Sequence, residues 1–132
     1  MSGAPRCSNR SFPGKISLVS SPLHDLALLS ARLGLANEQQ DWGIINADAS
    51  RLDEFIRVYT TDPLSSYQRY AMAALVLASA NELLCADPRA DLGLVAVLLP
   101  TLSADAQPEV DYWRTLLGDN EFPLGTWLRK RS

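Results

Sequence analysis

Residues Ser50–Ala86 read SRLDEFIRVYTTDPLSSYQRYAMAALVLASANELLCA, and this stretch decides the fold class. Leu52, Phe55, Ile56 and Tyr59 fall at i, i+3, i+4 and i+7, which predicts a helix from Asp48 or Ser50 with that face buried. Asp53 and Arg57 stand four residues apart on the other face, where an ion pair adds about 0.3–0.5 kcal/mol. Thr60-Thr61-Asp62-Pro63 breaks the helix, and Leu64 to Ala86 begins another of about 22 residues. Its middle, Tyr70 to Ala78, is apolar on nearly every side, as expected of a helix at the centre of a bundle.

Upstream, Ser21-Pro22 combines a hydroxyl cap with proline at the first helical position. Leu23, Leu26, Ala27, Leu29, Leu33 and Ala36 carry an apolar stripe to Asn37, with Gly34 near its end. Glu38 to Ala47 is polar around Trp42, Ile44 and Ile45 and reads as a loop pinned to the core by those three side chains. Downstream, Asp87-Pro88 ends the central helix. Arg89 to Leu102 reads as an apolar helix with Pro100 as its stop or kink, and Ser103 to Gln107 as a polar loop. Pro108 then opens a helix to Leu117 in which Val110, Trp113 and Leu117 share a face and Tyr112 and Leu116 flank it. Gly118-Asp119-Asn120 is a stop and turn, after which Phe122, Leu124, Trp127 and Leu128 form a short docked turn. Short loops and the absence of convincing strand pairs predict an all-α, single-domain bundle of about five helices over residues 21–132.

The first 20 residues are rich in Ser, Gly and Pro and read as a flexible leader. Lys15-Ile16-Ser17-Leu18-Val19 alternates like a short edge strand, but a lone strand has nothing to pair with. Arg6, Arg10 and Lys15 are followed by no apolar run of signal-peptide type, and no apolar stretch reaches the roughly 18–20 residues of a membrane span. The expected compartment is the cytoplasm, with no membrane attachment. The whole chain has 132 residues, 47% hydrophobic and 20% charged, which suits one domain that builds its core without staples. Cys7 and Cys85 show no CxxC spacing, and Cys85 reads as a small buried hydrophobe.

The residue types that carry chemistry are sparse. One histidine, His24, stands in the first turn of the first helix with no nucleophile context beside it. Two scattered cysteines and one histidine supply no transition-metal ligand set. Neither GxGxxG nor GxxxxGK[ST] occurs, so no nucleotide site is indicated. No cofactor, metal or catalytic residue is expected, and an enzyme is the least supported class. The aromatics Tyr59, Tyr67, Tyr70, Tyr112 and Trp113 sit at helical spacing and read as core before ligand cage.

Charge is more informative. The formal net charge is -3, but residues 1–15 are purely basic and Arg129, Lys130 and Arg131 add three more positive charges. Between them, Ile16 to Leu128 holds 15 acidic against 6 basic residues, a net of -9. Such a body repels nucleic acid and attracts a basic macromolecule, although an acidic surface also keeps a small protein soluble. The densest acidic stretch runs through Asp105, Glu109, Asp111, Asp119 and Glu121, in expected loops and helix ends where side chains are exposed, and Asp87 and Asp91 extend it if the loops face the same way. These five are the candidate partner-binding residues.

The segments Arg51–Tyr59 and Tyr70–Ala80, with the downstream pair Tyr112-Trp113, resemble small helical immunity proteins of bacterial polymorphic toxin systems, such as contact-dependent inhibition and type VI secretion. That pattern is a helix ending in Tyr, a long apolar helix with Ser near its end, and a Tyr-Trp pair. It covers about half the chain and consists of core positions. The resemblance implies a non-enzymatic function: binding one cognate toxin domain in the cytoplasm and blocking it. Such toxins are often basic nucleases, which an acidic body would attract and whose polyanionic substrate it would mimic. A helical adaptor or secretion chaperone, holding a segment of another protein in an apolar groove, is the alternative.

Overall fold

The computed structural model describes residues 21–131. These form six helices, α1 (Pro22–Leu33), α2 (Trp42–Asn46), α3 (Leu52–Thr61), α4 (Ser66–Ala86), α5 (Gly93–Thr115) and α6 (Pro123–Arg129), with a single 3-10 turn at Ala49–Arg51 before α3. No strand occurs among the described residues, so the fold is all-α. The leader and its strand-like Lys15–Val19 piece lie outside the described residues.

Helix α4 is the axis, and α1, α2, α3, α5 and α6 all pack on it. Met72, Ala73, Leu75, Val76, Leu77 and Ala80 have no exposed surface, so the helix is buried nearly all round as its composition requires. It begins with a capping box: the Gln68 backbone N–H donates to the Ser65 hydroxyl, and the Gln68 side chain accepts from the Ser65 backbone N–H. The Ser65 hydroxyl donates in turn to buried Asp25 at 2.7 Å, which ties the starts of α1 and α4 together. Leu52, Phe55, Ile56 and Tyr59 of α3 are buried as their spacing requires.

Several local expectations are corrected. Helix α1 stops at Leu33, not Asn37, because Gly34 adopts φ 68° and turns its N–H back onto the carbonyls of Ser30 and Ala31. The segment expected to be a loop around Trp42 contains α2. Trp42, Gly43 and Asn46 face inward, which leaves Ile44 and Ile45 on the outer side, where each is about half exposed. Of the three expected anchors only Trp42 is buried, its indole donating to the Ser30 hydroxyl at 2.8 Å. Asn46 fixes the preceding loop by accepting from the Ala36 N–H and donating to the Ala36 carbonyl, both at 3.0 Å.

The expected loop Ser103–Gln107 is instead part of α5, which runs from Gly93 to Thr115 with one non-helical residue, Ala106 at φ -148° and ψ 52°. Pro108 lacks the N–H that the Ala104 carbonyl would bind, and it disfavours helix in the residue before it. The bend falls at Ala106, which is fully buried and so keeps both halves on the core. Pro100 passes without a break. Leu117 and Tyr112, expected against the core, are 74% and 52% exposed. Cys85 is an exposed free thiol and not a buried hydrophobe. The ion pair at the start of α3 joins Arg51 to Glu54 at 2.8 Å, with Arg51 also donating to the Leu33 carbonyl at the end of α1. The basic end of the chain is partly docked: Arg129 donates to the Arg114 and Leu116 carbonyls, and the Arg131 guanidinium lies 3.9 Å from the Trp127 ring centroid.

Candidate protein-binding groove

The five acidic residues singled out from sequence do not form one patch. Asp105 is half-buried inside α5, where its carboxylate accepts from the Tyr59 hydroxyl at 2.5 Å and from Arg69 at 2.9 and 3.0 Å. It belongs to the packing of α3, α4 and α5 and is not an exposed charge, because the bend at Ala106 holds its side chain against Tyr59. Burial pushes the Asp105 carboxyl up, but the hydrogen bonds from Tyr59 and Arg69 outweigh it and hold it below the ordinary carboxylate value. Asp111 is exposed and accepts from Gln107 at 2.7 Å, with Arg114 at 3.5 Å. Asp119 accepts from the Thr126 hydroxyl beside α6. Asp87 and Asp91 accept from the backbone N–H groups of Arg89 and Gly93, as turn formers do.

Glu109 and Glu121 are brought into a common feature, a groove over α4. One wall is α2 and the other is the second half of α5. The groove has two hollows of about 150 and 140 Å³, which meet at Ile44 and Trp113, residues that line both. The first is floored by Tyr67, Tyr70, Ala71 and Ala74 of α4, the second by Ala78, Asn81 and Glu82. Ala71, Ala74 and Ala78 make the middle of the floor, and α2 approaches it closely: a Cβ on Gly43 would lie 3.0 Å from the Ala74 backbone. Ile44 and Tyr112 stand half exposed at the rim.

Each hollow carries two carboxylates, Asp41 and Glu109 in the first and Glu82 and Glu121 in the second. Among the described residues, none of the four is in an ion pair, and no lysine or arginine lines either hollow. The Tyr70 hydroxyl lies 3.4 Å from Glu109, and burial together with that carboxylate raises the phenol pKa, so it stays protonated and able to donate. A mixed floor of tyrosine, alanine and polar side chains, exposed aromatic and aliphatic rim residues and the four acids suit a protein segment that carries both apolar and basic side chains. Each hollow is smaller than the roughly 300–1,000 Å³ typical of small-molecule pockets.

Sequence reasoning found Glu109 and Glu121 but missed Ile44, Tyr70 and Tyr112. The available signal was Ile44-Ile45 in an otherwise polar segment, next to a Trp that by itself suffices as an anchor. Among the described residues no group of three His, Cys, Asp or Glu is placed to hold a metal ion, and no helix is long and apolar enough to cross a membrane. Comparison with known families, characterised proteins and solved structures finds no match for this chain.

Proposed function

We propose that this protein is a non-catalytic inhibitor that binds and neutralises a basic toxin domain in the cytoplasm, in the manner of the immunity proteins it resembles. The observation that supports this reading is the groove over α4, with four carboxylates that form no ion pair among the described residues and exposed Ile44 and Tyr112 at its rim. Like charges gathered around apolar surface weaken a fold by mutual repulsion, and a basic partner relieves that repulsion on binding. The net charge of -9 over Ile16–Leu128 adds long-range attraction that raises the association rate.

The adaptor reading is the second, favoured by the exposed Ile44 and Tyr112 at the groove's rim, since a chaperone or adaptor holds a segment of its client in such a groove. The two part in a single experiment. The tagged protein is used to capture partners from cells of its source at low salt and at about 0.5 M salt, where surface charges are screened beyond a few ångströms. The captured domain is then expressed alone and together with this protein. Inhibition predicts one basic domain, less of it at high salt, that arrests growth alone and spares the cells when co-expressed. Capture of a domain that is harmless alone, or of several unrelated proteins, decides for the adaptor.

A further inference from the structure

We propose that in the free protein the groove over α4 is occupied by the chain's own N-terminal segment, residues 1–20, and that a basic partner has to displace it. The proposal rests on the reading that the groove takes a basic protein segment, and adds what controls access to it.

Charge selects the occupant. Residues 1–20 carry Arg6, Arg10 and Lys15 and no acidic residue, with Phe12, Ile16, Leu18 and Val19 beside them. That mixture of basic and apolar side chains matches a groove with four carboxylates and exposed Ile44 and Tyr112 at its rim. The basic residues at the other end of the chain are engaged elsewhere: Arg129 donates to the Arg114 and Leu116 carbonyls, and the Arg131 guanidinium lies over the Trp127 ring.

The point of attachment puts the segment beside the groove. It joins the described fold at Ser21, whose hydroxyl accepts from the His24 N–H at the start of α1. Leu26, about 7.5 Å further along α1, lines the first hollow. Asp25, just before it, accepts from the Ser65 hydroxyl, and Tyr67, two residues beyond that serine, lines the same hollow. From Tyr67 to Glu82 the groove follows α4 for about 22 Å, whereas a segment of this length reaches up to about 66 Å. Lys15 therefore falls nearest the first hollow, and Arg10 and Arg6 can lie further along. Attachment also sets the competition. A tethered segment has an effective concentration on the order of millimolar, so contacts too weak to hold a separate peptide or a second copy at micromolar concentration fill the groove within one chain. A partner's apparent affinity then falls by the fraction of chains whose groove is open.

The chain's two lysines, Lys15 and Lys130, make the test specific. A carbodiimide joins an amine to a carboxylate in contact with it: an amide forms, and the water removed is taken up by the carbodiimide, which leaves as a urea. The full chain is treated at low salt and the links are mapped by mass spectrometry. We expect Lys15 to link to Asp41 or Glu109, and the new amine of the variant Arg10→Lys to link to Glu82 or Glu121. Each link should exceed those to exposed acids outside the groove, such as Asp53 and Asp87, by roughly tenfold. The Lys15 links should fall severalfold at about 0.5 M salt and in the variant Arg6→Gln with Arg10→Gln, whose substitutions lie outside the described residues. Links spread over all acids alike, or unmoved by salt and by the neutral variant, overturn the proposal, because a tether alone produces both. So do links between chains, seen as a covalent dimer, which give the groove to a second copy, and links that persist when the captured domain is bound. If Lys15 shows no preference for the groove and a captured toxin is still neutralised, the proposal fails and the inhibitor reading stands. If the links form and the captured domain abolishes them but is harmless to cells, the self-occupied groove stands and the inhibitor reading fails.

Discussion

Replacing Asp105 by Ala should unfold the protein more easily, and not merely remove surface charge. The Asp105 carboxylate takes the Tyr59 hydroxyl at 2.5 Å and two Arg69 nitrogens at 2.9 and 3.0 Å. Its side chain is 23% exposed and that of Arg69 33%, while Tyr59 is fully buried with the Arg69 guanidinium 4.8 Å from its ring centroid. A hydrogen bond to a charged group contributes about 1.5–3 kcal/mol, and a buried hydroxyl left without a partner costs about 1–3 kcal/mol. The two losses overlap, so the expected destabilisation is about 2–4 kcal/mol, or roughly 6–16 °C in the melting temperature of a domain this size. Tyr59→Phe removes the hydroxyl without orphaning it and should cost less. The assay is urea and thermal unfolding followed by far-UV circular dichroism. The Asp105 carboxyl sits below its ordinary value when folded, so its contribution is complete above that ordinary value and is lost as pH falls through the folded one. The gap between wild type and Asp105→Asn should therefore be constant near neutrality and close under acid. A variant Asp105→Ala within about 0.5 kcal/mol of wild type at neutral pH would refute the argument, since surface changes stay within that range. The same reasoning takes Asp105 out of any charge-reversal test of binding, because reversing it would also disturb the fold.

Asn81→Ala should cost about 2–3 kcal/mol in urea unfolding, because the buried amide donates to the Glu121 carbonyl and accepts from the Leu124 N–H, both at the start of α6. Gly125→Ala should cost about 1–3 kcal/mol and loosen α6, since a Cβ there would lie 2.5 Å from the Leu116 carbonyl oxygen and 2.8 Å from that of Trp113. Proteolysis confined to the end of the chain would report the loosening, and wild-type resistance would count against it. Cys85 is exposed, but burial of its sulfur and the nearby Glu82 raise the thiol pKa. Alkylation at Cys85, mapped by mass spectrometry, should be slower than that of free cysteine at neutral pH and should accelerate as pH rises.

The helices were legible wherever one local pattern governed them. Ser21-Pro22, the Leu52-Phe55-Ile56-Tyr59 stripe and the break at Asp62-Pro63 act through neighbouring backbone and one buried face, and each stands in the structure where the sequence puts it. The misreadings arose where two signals competed. Pro108 and a polar run argued for a loop at Ser103–Gln107, but burial of Leu102, Ala106 and Val110 keeps the segment helical through a single distorted residue. Ile44 and Ile45 looked like anchors because hydropathy counts side chains and not directions. Once Gly43 is turned onto α4 together with Trp42 and Asn46, Ile44 and Ile45 are left on the outer side of the helix.

Sequence by itself determined the all-α class, the central place of α4 and the acidic character of the body, because periodicity, capping and charge are properties of short stretches or of sums. Tertiary structure decided which acids do what. Asp105 and Glu109 lie four residues apart on α5, yet the bend at Ala106 sends one to Tyr59 and Arg69 and leaves the other at the groove. Asp41 meets Glu109 at one hollow, and Glu82 meets Glu121 at the other, only through the packing of α2, α5 and α6 on α4. A groove is a gap between elements, and its position depends on how closely Gly43 lets α2 approach Ala74, a distance that no single stretch of the chain encodes.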